Sequence, residues 1–293
     1  GWRATHGPLT RTGWPLAATV RAPGTVFRQD PAGFAWSAGT LSATVSLLRP
    51  QTLVLTAEGP QSVQLAPAAP VPVTVETMRA EVPLTPGVPA RAVTVEVAGL
   101  AATPPQGLVT LARLDLRAES RPAAQQGEPA LSVDLTLARL GLPPGTWPLG
   151  PTVDRIALDA VVTGPAPRTP DPQERAELWR DGGGAMELRK LDIAWGDVRL
   201  TGSATLALDD ALQPMGAATA RIAGFNAALD ALVASGVLAL GKRLGPICWQ
   251  LPGNFKYDRE RVAAFLALLP KTRQAALALA RKHDSLVTAP NLS

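Results

Sequence analysis

The sequence predicts a mainly β protein: a curved antiparallel meander sheet with two short helices, followed by a mostly helical C-terminal segment. Three observations support this fold class. Apolar and polar residues alternate with a period of two in many short stretches, which is the pattern of strands with one apolar face. Proline and glycine, at 29 and 26 of the 293 residues, concentrate in turns between these stretches. Segments with helical periodicity are few.

Four stretches show the alternation most clearly. "LSATVSLL" aligns Leu41, Ala43, Val45 and Leu47, and "AVTVEVAG" aligns Val93, Val95 and Val97. "LSVDLTLARL" aligns Leu131, Val133, Leu135 and Leu137. "DVRLTGSATLALDD" aligns Val198, Leu200, Ala204, Leu206 and Leu208, with Gly202 as a bulge. The spacing of these stretches and their turns predicts roughly ten to twelve strands, each pairing with its chain neighbour in antiparallel order.

Two helices are predicted in the body. In "DPQERAELWRDGGG", Asp171 is the N-cap, Pro172 takes the first helical position and Glu174 completes a capping box. The glycines at 182–184 end this helix. The second helix, 226–240, carries an apolar stripe in "NAALDALVASGVLALG".

The predicted sheet needs a cover for its apolar face, and two helices are too few to provide it. The sheet therefore curls on itself, packs as a sandwich, or leaves a groove that holds an apolar ligand. For the groove, we expect helix 226–240 to plug one end. The candidate lining residues are aliphatic and come from all four stretches: Leu41, Val45, Val93, Val95, Val133, Leu135, Leu200 and Leu206.

The distribution of charge argues against a nucleic-acid partner. The chain has 28 Lys and Arg against 24 Asp and Glu. Residues 241–293 hold nine of the basic and three of the acidic groups, so residues 1–240 hold 19 basic and 21 acidic groups. The basic excess belongs to the C-terminal segment, and the body has no basic face with interleaved aromatic residues.

Motifs that carry catalytic or metal chemistry are absent from the sequence, so no catalytic, cofactor or metal residues are predicted. "DGGG" at 181–184 is interpreted as a helix stop, "LDD" at 208–210 as a hairpin turn, and His6 as an exposed loop residue. Four tryptophans are assigned to the core: Trp14, Trp147, Trp179 and Trp195.

Several blocks of the body, in order, resemble a bacterial family catalogued as domain of unknown function 2125. They include "GWRATHGPLTRTGWPLAATV" (1–20), "TWPLGPTVDRIALDAVVTGP" (146–165) and "LWRDGGGAMELRKLDIAWGDVRLTGSATLALDD" (178–210). The resemblance covers about residues 1–236. It implies a membrane-spanning anchor just upstream of the "GWR" block, and it implies no catalytic residues. The strand and turn pattern is also loosely similar to that of AsmA-like envelope proteins, which implies long curved sheets and lipid handling.

The stretch at 235–284 resembles a second family, domain of unknown function 72, which is YecE-like and TIM-barrel-like. The resemblance rests on the family's "GP-x-x-x-QLPP-x-F" run, which Gly245, Pro246, Gln250, Leu251, Pro252 and Phe255 match, with Gly253 in place of the second proline. About fifty residues cannot close a (β/α)8 barrel, which needs about 250. Residues 258–269 are predicted as a helix capped by Asp258.

The sequence therefore predicts a composite chain. Residues 1–240 form an antiparallel β envelope domain, and residues 241–293 are a fragment of a barrel family and not a complete domain. We expect a non-enzymatic protein on the periplasmic face of the bacterial inner membrane, anchored through a missing N-terminal segment. Its partners would be lipid or other envelope proteins, and its sheet would bind lipid or act as a scaffold. Two alternatives stay open: a fragment of a barrel-like enzyme, and a protein-interaction module that uses its sheet edges.

Overall fold

The structure is a computed structural model that describes residues 2–29, 33–145, 147, 149–167, 169, 171–224 and 258–268. These residues form a mainly β fold with one fourteen-stranded sheet. The strands are β1 (Trp2–Thr5), β2 (Thr10–Thr12), β3 (Ala17–Gln29), β4 (Phe34–Ser46), β5 (Arg49–Leu65), β6 (Val71–Thr74), β7 (Thr77–Pro83), β8 (Ala92–Ala102), β9 (Val109–Ser120), β10 (Pro129–Gly141), β11 (Thr152–Thr163), β12 (Met186–Trp195), β13 (Val198–Leu208) and β14 (Pro214–Ala223). The helices are α1 (Pro172–Asp181) and α2 (Arg259–Leu268).

The sheet is a meander in which every strand pair of the described residues is antiparallel and joins near neighbours in the chain. Two positions in the sheet are each filled by two short strands. β1 and β2 both pair with β3 at one edge, and β6 and β7 both lie between β5 and β8. The sheet therefore has fewer strand positions than strands. Antiparallel neighbours with short turns are the arrangement that the sequence predicted.

Aliphatic side chains fill the rows of one face because the register keeps the alternation of each strand in phase with that of its neighbours. A single row across the sheet illustrates this: Val20, Ala43, Leu55, Ala80, Val95, Leu116, Leu135, Leu158, Leu191, Gly202 and Ala220. The adjacent row on the other face contains Arg79, Glu96, Asp115 and Thr136. Residues that pair directly across antiparallel strands point to the same side, so the sheet has one aliphatic and one polar face.

The alternation changes phase at one level in the middle of the sheet. Gly99 and Arg139 lie inside β8 and β10 with φ of 60° and 50°, in the left-handed region that extended strands avoid. Beyond them a new apolar row crosses four strands: Leu100, Leu111, Leu140 and Val153. Leu111 and Val153 are buried. In β3, Gly24 also has a left-handed φ, of 58°, next to the buried Thr25.

The bulge predicted at Gly202 lies on the partner strand instead. The register between β12 and β13 shifts between Leu188 and Leu191, so the extra residue belongs to β12, while the pairing of β13 with β14 is continuous. Gly202 has a different role. A Cβ at this position would lie 2.8 Å from the backbone oxygen of Thr219, so the close approach of β14 requires glycine.

Helix α1 packs at one end of the sheet, where the deepest core lies. Asp171 is its N-cap and accepts a hydrogen bond from Gln173 N at 3.0 Å, and Gly182 is its C-cap, as predicted. The capping box is wrong in detail, because Glu174 accepts from the Thr169 hydroxyl instead. The Trp179 indole donates to Thr163 O at 2.8 Å and so ties α1 to β11. Near this bond Val161 is 1% exposed, the largest fully buried side chain among the described residues.

The described residues form one long antiparallel meander sheet, so a sandwich of two separate sheets is not present among them. Each strand makes its extensive contacts with its hydrogen-bonded neighbours, and α1 adds a small contact with β13. The predicted helix at 226–240, its role as a plug and the "GP-x-x-x-QLPP-x-F" run lie outside the described residues. The helix predicted at 258–269 is present as α2, and Asp258 Oδ1 accepts from Glu260 N at 3.0 Å.

The tryptophan assignments need correction. Trp14 is 83% exposed, so its assignment to the core is wrong. The other three are half-buried, and each indole N–H donates to a backbone oxygen: Trp147 to Pro143, Trp179 to Thr163 and Trp195 to Gly150. They stabilise loops and the helix at the sheet's ends, because an indole that is partly buried needs an acceptor for its one donor.

Candidate functional site

The eight candidate lining residues lie on the same face of the sheet, which we call the aliphatic face. Leu41 and Val45 come from β4, Val93 and Val95 from β8, Val133 and Leu135 from β10, and Leu200 and Leu206 from β13. The register connects them through intervening strands. For example, Val95 pairs with Leu116, which pairs with Leu135. Whether they bind a ligand stays a prediction.

The aliphatic face is continuous and free of charge. Its members on the strands between β8 and β12 include Leu114, Leu137, Ile156 and Ile193, which form one row with Val97 and Leu200. At roughly 4.8 Å between strands, the ten spacings from β3 to β14 make the face roughly 48 Å wide. This exceeds the thickness of about 30 Å of a bilayer's hydrocarbon core. The face is therefore large enough to accept an extended acyl chain.

The aliphatic face is half open to solvent. All eight candidate residues are half-buried, and none belongs to the buried core. Side chains are more exposed at the edge strand β14, where all ten residues are exposed and Ile222 is 45% exposed. A large uncovered apolar surface on a folded protein commonly marks an interaction site.

The opposite face carries ion pairs along single strands and between neighbours. Arg79 and Arg49 both bind Glu81, with N–O distances of 2.6 and 2.9 Å, and their hydrogen bonds lower the pKa of that carboxyl, Arg79 having the larger effect. Arg113 binds Asp115 at 2.6 Å and lowers its pKa in the same way. These side chains are substantially solvent-exposed, so each pair contributes little stability. Their consequence is that the part of the polar face around Glu81 and Asp115 stays hydrated.

Gln61 breaks the apolar pattern and was missed by the sequence reading. It lies in β5, 5% exposed, in a row of buried residues with Thr25, Ala38 and Val73. Trp36 Nε1 donates to Gln61 Oε1 at 3.1 Å. The amide nitrogen of Gln61 has no hydrogen-bond partner, and it is the one buried side-chain polar atom in that condition within the described part of the chain. The sequence signal is a glutamine at an alternation position otherwise filled by apolar residues.

Aromatic side chains gather beside Gln61 at the end of the face. Phe27 stacks on Trp36 with a ring separation of 5.7 Å, and the two residues pair across β3 and β4. Trp2 meets Phe34 edge to face at 5.9 Å. We call these four residues the aromatic end. Along these strands, aliphatic rows are followed by the row that contains Gln61 and then by aromatic rings.

The other motifs have structural roles. Asp209 accepts from Ala211 N and Gln213 N and so holds the hairpin turn between β13 and β14, as predicted. Gly182 and Gly184 donate to carbonyls of the last turn of α1, which confirms the helix stop. His6 is exposed and its ring contacts the neighbouring Gly7 O. Across the described ranges, no cluster of His, Cys, Asp and Glu could hold a metal ion.

Comparison with known proteins gives two family matches. A family model described as an uncharacterized protein conserved in bacteria, DUF2125, matches residues 1–243. A second, described as a protein of unknown function, DUF72, matches residues 206–291. Both predicted resemblances are confirmed, and the two matches overlap over 206–243.

No curated protein matches the chain, and no solved structure does either. The similarity to AsmA-like proteins therefore stays a prediction. None of the helices in the described part of the chain has the length and apolar character needed to span a membrane.

Proposed function

Because the chain belongs to the DUF2125 family of uncharacterised bacterial proteins, and because its sheet has a continuous, half-exposed aliphatic face in the described residues, we propose that it is a non-enzymatic envelope protein that binds lipid acyl chains. The observation that carries this proposal is the continuity of the face: aliphatic rows cross from β3 to β14 with no charged side chain among them. Lipid chains are the ligands that such a surface accepts without desolvating a polar group.

Acyl chains fit this face better than a small rigid ligand does. Burial of each methylene contributes about 0.8 kcal/mol, and a flexible chain can follow a twisted row of leucines and valines. The polar face, with its ion pairs at Glu81 and Asp115, would remain in water. The resemblance of the N-terminal block to a family with an upstream anchor supports placement at the periplasmic face of the inner membrane.

The proposal is tested by recovering lipid from the purified protein and identifying it by mass spectrometry. Two variants at adjacent positions provide a matched comparison. Leu135→Arg puts a charge on the aliphatic face, whereas Thr136→Arg puts the same charge on the polar face beside Asp115. We expect the first variant to lose bound lipid and the second to retain it. Equal amounts in both variants, or no lipid in the native protein, would contradict lipid binding.

The second candidate is a protein-interaction module. Strand β14 favours it, because this edge strand is continuous over Pro214–Ala223 and exposed along its length, with Arg221 as its one charge. An edge of this kind accepts an added strand. Recovery of a bound protein that is lost in Ala218→Pro, with no lipid present, would favour this candidate.

The enzyme alternative has less support. The DUF72 match covers residues 206–291, far short of the roughly 250 residues that a barrel needs. A scaffold role for the sheet is the outcome that would remain if neither lipid nor a partner protein were found.

A further inference from the structure

The buried amide of Gln61 is a polar group that the protein itself leaves incompletely bonded. The Trp36 indole can only donate, so its bond at 3.1 Å requires the oxygen of the Gln61 amide to face it. The orientation of the amide is thereby fixed, and its two N–H groups point elsewhere. They meet no acceptor, although the residue is 5% exposed. An unmet buried donor is unfavourable, and native proteins retain few of them.

Gln61 lies in β5 beyond Gly59, whose φ of 79° is left-handed and where β5 has an extra residue relative to β4. It pairs with Ala38 on one side and Val73 on the other, and the next residue of β5 on its side, Val63, pairs with Trp36. Ala38 has a small side chain, so the row that contains Ala38 and Gln61 stands lower than the leucine rows on one side and the aromatic end on the other. We call it the low row. Trp36 and Val63 are half-buried, so this row is bordered by side chains that solvent reaches.

We propose that Gln61 is the polar anchor of the ligand, and that its amide N–H donates to the carbonyl or carboxylate oxygen at the head of an acyl chain. The inference rests on the proposed lipid function and specifies its ligand: a chain with one acceptor oxygen at its end, not a pure hydrocarbon. The methylenes lie along the aliphatic rows, and the oxygen enters the low row beside Trp36. A free fatty acid and an acyl ester both supply this oxygen.

The fluorescence of Trp36 reports the direction in which the bound acyl chain lies. Stearic acid labelled with a nitroxide at carbon 5 places the quencher near the head, and the label at carbon 16 places it near the tail. The contribution of Trp36 is isolated by subtracting the signal of Trp36→Phe. We expect the carbon-5 probe to quench Trp36 more strongly than the carbon-16 probe. Equal or reversed quenching would overturn the anchor.

Binding measurements test the hydrogen bond itself. Gln61→Met removes the donor at nearly constant volume, and Gln64→Met, on the polar side of the same strand, is the matched control, since the amide of Gln64 donates to Ala68 O. We expect Gln61→Met to bind stearic acid about tenfold more weakly, in line with one lost hydrogen bond. Binding of hexadecane should be unchanged in both variants. An unchanged affinity for stearic acid in a folded Gln61→Met protein would overturn the inference and indicate that water satisfies the amide.

The two proposals fail in different ways. If neither stearic acid nor hexadecane binds the native protein, the lipid function itself fails. If both bind equally and Gln61→Met has no effect, lipid binding stands and the anchor fails. Competition by a short-chain phosphatidylcholine distinguishes the source of the oxygen. Displacement of stearic acid by the phosphatidylcholine, with the same dependence on Gln61, supports an acyl ester as the ligand. The absence of displacement supports a free fatty acid. Should Gln61→Met not fold, the quenching experiment on the native chain decides alone.

Discussion

Replacing Leu135 with alanine should destabilise the protein less than replacing Val161 with alanine, although leucine loses more carbon. Val161 is 1% exposed beside α1, so its truncation removes two carbons at about 0.8 kcal/mol each and leaves a closed cavity, for a total of about 2–3 kcal/mol. Leu135 is half-buried on an open face. Its three carbons should therefore contribute about half of their transfer free energy, roughly 1.2 kcal/mol, with no cavity term.

Urea unfolding followed by circular dichroism measures both changes in the free energy of unfolding. The comparison requires equal denaturant slopes in the two variants, since a changed slope means a changed native or unfolded ensemble. Thr136→Ala on the polar face is the control and should alter stability by less than about 0.5 kcal/mol. A cost at Leu135 of about 3 kcal/mol or more would show that a second layer covers the face. The reasoning from an open surface would then be refuted, and the lipid site with it.

Three further outcomes are expected. Arg139→Gly should raise the thermal midpoint, because the native φ of 50° is left-handed and glycine adopts it without strain; a lowered midpoint would contradict this. The hydrogen bonds from Arg79 and Arg49 lower the folded pKa of Glu81, so its contribution to stability is present above the unfolded pKa and is lost as pH falls through the folded one. Glu81→Gln should therefore weaken the acid dependence of the midpoint, and an unchanged dependence would argue against the pairs. Deletion of residues 243–293 should leave the midpoint of the remainder unchanged, whereas a loss of several degrees would mean that the tail packs as part of one domain.

The fold of the body could be predicted because period-two alternation carries information about faces as well as about strands. Residues such as Val95 and Leu135 are far apart in sequence, but each strand presents its apolar side to the same layer, and a meander keeps successive strands in phase. The antiparallel order followed from turns too short for a crossover. For these reasons the sequence alone predicts that the eight candidate residues share one face.

The phase change at Gly99 and Arg139 leaves a signal in the sequence, which is the spacing of the apolar residues. In "LSVDLTLARLGL", the apolar spacing is two up to Leu137 and then three to Leu140. The neighbouring strand β9 has the same spacing of three, between Leu111 and Leu114. These two residues pair with Leu140 and Leu137, so the irregularity lies at the same level in both strands. A shift repeated in neighbouring strands marks one structural level, and only the register reveals that the shifts coincide.

Other features depend on tertiary contacts that alternation does not encode. The exposure of Trp14 and the unmet donor of Gln61 were not predicted, because aromatic content favours burial and an isolated glutamine resembles a surface residue. The bulge was assigned to Gly202 because glycine is a common bulge residue, whereas the extra residue lies between Leu188 and Leu191 of the facing strand. Glycine was instead required by the proximity of the Thr219 backbone.

A meander of one continuous sheet has consequences for stability that bear on ligand binding. Each strand depends on its two neighbours, so stability accumulates along the sheet and the edges open more readily than the middle, as in repeat proteins. The edge strand β14 is exposed throughout, while Leu111 and Val153 are buried near the phase change. An acyl chain lying across several strands would couple neighbours that otherwise interact pairwise. It would bind the folded sheet and not the unfolded chain, so at a hundred times its Kd it would add about 2.7 kcal/mol to stability. This gain should be largest for strands under the chain, so hydrogen exchange with and without stearic acid should show added protection in β4 and β5 beside Gln61. Protection confined to β14 would instead place the ligand at the sheet edge and contradict the path proposed for it.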